Sequence, residues 1–195
     1  MSRGLGDVYK RQTNNITIYR INNPEVLKTV TNRTDQRMKM SEVIAKYPNA
    51  LIMNASAFDM QTGQVVGFQM NNGKLIQDWN PGTTTQYAFV INKDGSCKIY
   101  DSSTPASTII KNGGQQAYDF GTAIIRDGKI QPNDGSVDWK IHIFIANDKD
   151  NNLYAILSDT NAGYDNIMKS VSNLKLQNML LLDSGGSSLS LIHIS

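Results

Sequence analysis

The chain has 195 residues, 39% of them hydrophobic, which is enough for one domain with its own core. Nineteen Lys and Arg against 17 Asp and Glu leave a formal charge of +2, too weak a field to argue for a nucleic-acid partner. One cysteine, Cys97, excludes an internal disulfide and a four-cysteine zinc site, and no run approaches the roughly 20 apolar residues that span a bilayer.

Residues 1–12 (MSRGLGDVYKRQ) and 191–195 read as non-native termini, which makes 13–190 the expected domain and gives the missing apolar leader no weight. Alternation in Ile16, Ile18 and Ile21 predicts a first strand, punctuated by Pro24. Ser41 is the expected N-cap of a short helix through Val43, Ile44 and Tyr47, and the apolar run Ala50 to Met53 reads as a buried strand. Thr62-Gly63, Asn72-Gly73, Pro81-Gly82 and Asp94-Gly95 then separate short apolar stretches such as Val65 to Met70 and Tyr87 to Ile91, the pattern of hairpins.

The second half repeats the pattern in Thr122 to Arg126, Lys140 to Ala146 and Leu153 to Ser158, with turns at Asp127-Gly128 and Asn151-Asn152. Ile167, Met168, Val171 and Leu174 recur at helical spacing after the candidate caps Thr160 and Asn161. Met179 to Leu182 is the last apolar strand and runs straight into Asp183. The expected fold is α+β, a mixed but mostly antiparallel sheet with a few packing helices.

Candidate chemistry gathers where strands end. Asp183-Ser184-Gly185-Gly186-Ser187-Ser188 combines a carboxylate, hydroxyls and glycines whose backbone can approach a ligand, and its successive amides suit a phosphate. Asn54 follows the Ala50 to Met53 run and offers both a donor and an acceptor to a sugar hydroxyl pair. Only Glu25 and Glu42 are glutamates, so paired carboxylate chemistry falls to aspartates, with Asp183 and Asp159 expected at the ends of neighbouring strands. In Lys140 to Phe144, alternation puts His142 with Lys140 on the less apolar face, solvated or lining a pocket. Asp148, Asp150 and Asn152 alternate as Ca²⁺ ligands can, but a turn explains them, and neither metal nor cofactor is expected.

In order and spacing these segments resemble the phosphodiester glycosidase family. Asn54 to Phe58 matches its Asn-Gly-Gly-Phe-Phe segment, followed by Thr62-Gly63, Gly67, Asn72-Gly73-Lys74, Arg126 to Lys129, Asp159, and Leu182 to Ser188 in place of Leu-Asp-Gly-Gly-Gly-Ser-Ser. Ala55 and Ser56 replace glycines. Lys140 and His142 stand near the family's Arg-Thr pair, and Asp159-Thr160-Asn161 replaces Asp-Gly-Arg.

The resemblance implies hydrolysis of a sugar-1-phosphodiester of the N-acetylglucosamine type, on cell-wall or exopolysaccharide glycopolymers, by a bacterial or phage protein with an extracellular, cell-surface or virion-associated setting. Asp183 and Asp159 are then the catalytic candidates, and Asn54, Lys140, His142, Gly185, Gly186, Ser187 and Ser188 bind the carbohydrate phosphodiester. A glycan-binding or phage-tail module of the same fold is the alternative. A serine protease built on Ser184 and His142 is remote, since 184 − 142 leaves only 42 positions between them. The alternation of Ser187 to Leu191 further suggests a closing strand that continues beyond the sequence, whose restoration is expected to raise stability and activity.

Overall fold

The computed structural model describes residues 8–13, 15–21, 40–47, 51–59, 61–83, 86–138, 141–159 and 162–183. Two sheets form from these residues. The first has seven strands: β1 (Val8–Thr13), β2 (Ile16–Ile21), β8 (Ala123–Arg126), β9 (Lys129–Ile130), β10 (His142–Asp148), β11 (Leu153–Ser158) and β12 (Leu176–Leu182), in the order β1-β2-β11-β10-β12-β8-β9. The second has five: β3 (Gln69–Asn71), β4 (Lys74–Gln77), β5 (Tyr87–Asn92), β6 (Cys97–Asp101) and β7 (Gly114–Asp119), in the order β4-β3-β7-β5-β6.

Every strand pair among the described residues is antiparallel, so the mixed sheet expected from the sequence is corrected. Tight turns account for several of these pairs. At Asn72-Gly73 and Asp127-Gly128 both residues take positive φ (49° and 77°; 50° and 75°), the backbone twist a two-residue hairpin loop requires.

Three apolar layers hold the sheets. Phe89, Ile99, Ile143, Ile145, Leu180 and Leu182 fill the space between them. Phe144, Ile156 and Met179, on the outer face of the first sheet, pack with Ile167 and Val171 of helix α3 (Tyr164–Val171). Phe68, Met70 and Val90, on the outer face of the second, pack with Ile109 of helix α2 (Ala106–Lys111). Each of these large side chains contributes about 1.5–3 kcal/mol by leaving water. β10 alternates its side chains between two apolar layers and is buried along its whole length.

Local readings fail in a few places. Helix α1 (Met40–Lys46) starts one residue before Ser41, which therefore lies inside it. Helix α3 starts from Gly163 without a side-chain cap, and Thr160 and Asn161 lie outside the described residues. Helix α2 has no counterpart in the sequence reading, because six residues are too few to show a helical period. Leu51 to Met53 is half-buried and not a strand, and Ala50 lies outside the described residues. No described helix is long and apolar enough to cross a membrane.

Candidate active site

Four chain segments meet at one end of the first sheet. β12 delivers Asp183 there, and its amide N–H donates to the Ala55 carbonyl at 2.9 Å. β10 pairs with β12 through Ile143 and Leu182, so His142 enters the sheet beside the place where Asp183 leaves it. β11 pairs with β10 through His142 and Ser158, and the next residue, Asp159, donates its amide to the Asn15 carbonyl at 2.9 Å. Asp159 and Asp183 therefore share one end of the sheet, but the strands that carry them are separated by β10 and are not neighbours. Two strand spacings put their backbones about 10 Å apart.

Asn54 sits one residue before the carbonyl that Asp183 holds, half-buried between Met53 and Ala55, which pack on the core between the sheets. The segment that follows is bonded to the second sheet as well, because the Ala57 amide donates to the Asp119 carbonyl at 3.0 Å. The backbone just after the apolar run, at Ala55 and Ala57, thus bonds to the end of one strand in each sheet. The Asn54 and Asp183 segments, far apart in sequence, thus lie side by side.

His142 is neither solvated nor on a polar face. It is 3% exposed, its amide donates to Ser158 Oγ at 3.2 Å, and its ring lies 6.0 Å from that of Phe144. Helix α3 makes that face apolar, and a helix packed across a strand is invisible in the strand's own alternation. Lys140, Gly185, Gly186, Ser187 and Ser188 lie outside the described residues.

Asp119 is a feature the sequence reading missed. It is fully buried at the end of β7, and Oδ2 accepts the Phe68 amide at 2.9 Å while Oδ1 has no hydrogen-bond partner. Burial pushes its carboxyl up to about 7 against the lowering effect of the Phe68 amide. Its own amide donates to Ser56 Oγ at 3.4 Å, so this residue touches the chain on both sides of the Phe58 to Val65 hairpin. Gly67 lies against the carboxyl so closely that a Cβ there would fall 2.8 Å from Cγ and Oδ2. The available signal was alternation, which puts an isolated acid on the same face as Ala117.

Beside this junction opens a cavity of about 650 Å³, with Ala57, Tyr87, Phe120, Gly121, Asp134 and Leu181 among its walls. Leu181 precedes Asp183 by two residues. Gly121 permits the close approach of this wall, since a Cβ there would sit 2.9 Å from Leu181 Cδ2.

A model of the phosphodiester glycosidase family matches residues 48–193, most of the chain. The chain belongs to the phosphodiester glycosidase family. Its fold is similar to the catalytic domain of zebrafish N-acetylglucosamine-1-phosphodiester alpha-N-acetylglucosaminidase auto-inhibited by pro-peptide, at 20% identity and a TM-score of 0.64 over 92% of this chain and 70% of that one. It is also similar to a hypothetical protein from Synechocystis, at 11% identity and a TM-score of 0.58 over 90% of this chain and 55% of that one, so this chain spans about half of that structure. No curated protein matches in sequence.

Within this phosphodiester glycosidase fold, the described site offers carboxylates and a side-chain amide but no group of three or more His, Cys, Asp or Glu residues able to hold a metal. Burial and the charge of Asp94 push the Cys97 thiol up to about 12, which keeps it protonated and unreactive. Asp148 and Asn152 serve a turn: the Asp148 carboxylate accepts the amides of Asp150 and Asn152 at 2.9 and 3.0 Å.

Proposed function

We propose that the chain hydrolyses the glycosidic bond of a sugar-1-phosphodiester of the N-acetylglucosamine type. The observation that carries this reading is the 2.9 Å bond from the Asp183 amide to the Ala55 carbonyl, which supports a single site made of the family's first and last motifs. Family membership supports the reaction class.

In this reading, water adds to the anomeric carbon as the bond from that carbon to the phosphate oxygen breaks, releasing free sugar and a phosphate monoester. Phosphate is already a good leaving group, so the site needs charge stabilisation and an oriented nucleophile more than a strong acid. Asp183 and Asp159 are the proposed base or nucleophile, and Asn54 holds a sugar hydroxyl. The amides and hydroxyls of Gly185, Gly186, Ser187 and Ser188 take the leaving phosphate, with Lys140 offsetting its charge. Buried His142 acts from beneath, supporting the end of β10 beside Asp183.

The test is incubation with an aryl phosphodiester of N-acetylglucosamine-1-phosphate, followed by assay for free sugar. Release that is lost in Asp183→Asn is the expected result. Binding of the phosphodiester without any release would replace hydrolysis by the glycan-binding alternative.

A further inference from the structure

The cavity beside Asp119 carries chemistry that the family motifs do not describe. Its lining combines two aromatic rings, Tyr87 and Phe120, with the hydroxyls of Thr83, Thr122 and Ser136 and one charged side chain, Asp134. Aromatic faces match the C–H faces of a sugar ring, while a carboxylate and hydroxyls match its hydroxyl groups. Among the described lining residues the charged side chain is Asp134, whose negative charge disfavours a phosphate there.

The groups are held in place before any ligand arrives. Asp134 Oδ1 accepts the Ser136 amide at 3.0 Å, and Asn133 Oδ1 accepts the Gly135 amide at 2.9 Å, so the loop is tied by its own side chains. The Tyr87 ring is packed by the Arg126 guanidinium, 5.8 Å from its centroid, and Arg126 is itself fixed by a 2.9 Å ion pair with Asp101.

We propose that this cavity is the glycan subsite: it takes the uncharged sugar ring, with Asp134 as the specificity-determining residue that accepts hydrogen bonds from ring hydroxyls, and the phosphate lies outside it toward Asp183. Leu181, in the cavity wall, and Asp183, two residues further along the chain, put the ring within reach of the reacting end. This orientation rests on the proposed hydrolysis, but the subsite can be tested without turnover.

The experiment titrates the 195-residue chain with free N-acetylglucosamine and, separately, with inorganic phosphate, following backbone amide NMR signals. Sugar is expected to shift Gly121, Thr122 and Ser136, phosphate to leave them in place, and Asp134→Ala to weaken sugar binding at least about tenfold. Asp134→Asn keeps an acceptor for the Ser136 amide and tests the charge if the alanine variant does not fold. In the hydrolysis assay, either variant is expected to raise KM with a much smaller change in kcat. Sugar shifts that depend on Asp134 uphold the subsite even if no substrate is turned over, which would refute the proposed hydrolysis alone. Phosphate shifts at these amides, or sugar affinity unchanged in both variants, would overturn it even in an active hydrolase.

Discussion

Two aspartates are buried at opposite ends of the sandwich, and their surroundings differ. Asp148 closes the end of β10 remote from His142; Oδ1 accepts the Asp150 and Asn152 amides, and Oδ2 accepts Asn152 Nδ2 and the Tyr154 hydroxyl, both at 2.9 Å. Burial pushes its carboxyl up, but the Asn152 side chain, the Tyr154 hydroxyl and the two amides outweigh it and hold the group below its ordinary value. Asp119, at the site end, has one amide on one oxygen and nothing on the other. A carboxylate with its lone pairs filled builds a turn. One left half-satisfied costs stability, and Asp119 does so where the Asn54 segment is bonded to the second sheet.

The contrast predicts a double dissociation. Asp183→Asn, at the site end, should lower hydrolysis by about 10³-fold while the melting temperature stays within a degree or two of wild type, because this residue is proposed to act in the reaction. Asp148→Ala should do the reverse: it strands a buried tyrosine hydroxyl and two amides, costing about 3 kcal/mol, while activity per folded molecule stays near wild type. Denaturant melts and kcat on the same samples check both. Loss of activity in Asp148→Ala at full folding would mean that the two ends are coupled.

How much of this was legible in the sequence depends on what each residue's environment is made of. β11 was read at its true bounds and Tyr87 to Ile91 nearly so, because turn dipeptides bracket short apolar runs. The Ile167 and Val171 stripe was legible because it spans two helical turns. The segment after Asn54 meets the Asp183 amide at Ala55, and the sequence signal there is that Asn54 and Asp183 both follow apolar runs. The layers were not legible. Whether the second face of β10 is wet or dry depends on helix α3, and whether Asp119 is solvated depends on Gly67 and Phe68, 51 to 52 positions away. Asp134 escaped because its loop has no periodicity to read.

The two aspartates also respond to pH in opposite senses. The folded-state value of Asp119, about 7, lies above its ordinary 3.8, so between those values the native protein holds a proton that the unfolded chain has released. Its contribution is complete below about pH 4 and is lost as pH rises through 7. Asp148, held below 3.8, contributes above that pH and is lost as pH falls through its folded value. Asp119→Asn removes the titration, so it should stabilise the protein by about 4 kcal/mol at pH 8, with the gain vanishing near pH 4. Urea melts of both proteins across that range measure it. A gain that does not change with pH would show that Asp119 is not the titrating group.

The smallest effect is expected where the half-satisfied carboxyl meets backbone. Gly67→Ala places a methyl 2.8 Å from Asp119 Cγ and Oδ2, closer than such contacts occur, so either the carboxyl or the strand lead-in must move. Because Asp119 is fully buried and bonded to the adjacent Phe68 amide, it cannot swing into water, and the cost should be about 1–2 kcal/mol. If the clash is with the carboxyl alone, Asp119→Ala should make Gly67→Ala nearly neutral in the double variant, because the atoms the methyl meets most closely are gone. A double-mutant cycle read by urea melts gives that coupling directly. Additive losses would instead show that the methyl clashes with atoms other than the carboxyl, and that the carboxyl is a neighbour and not the cause.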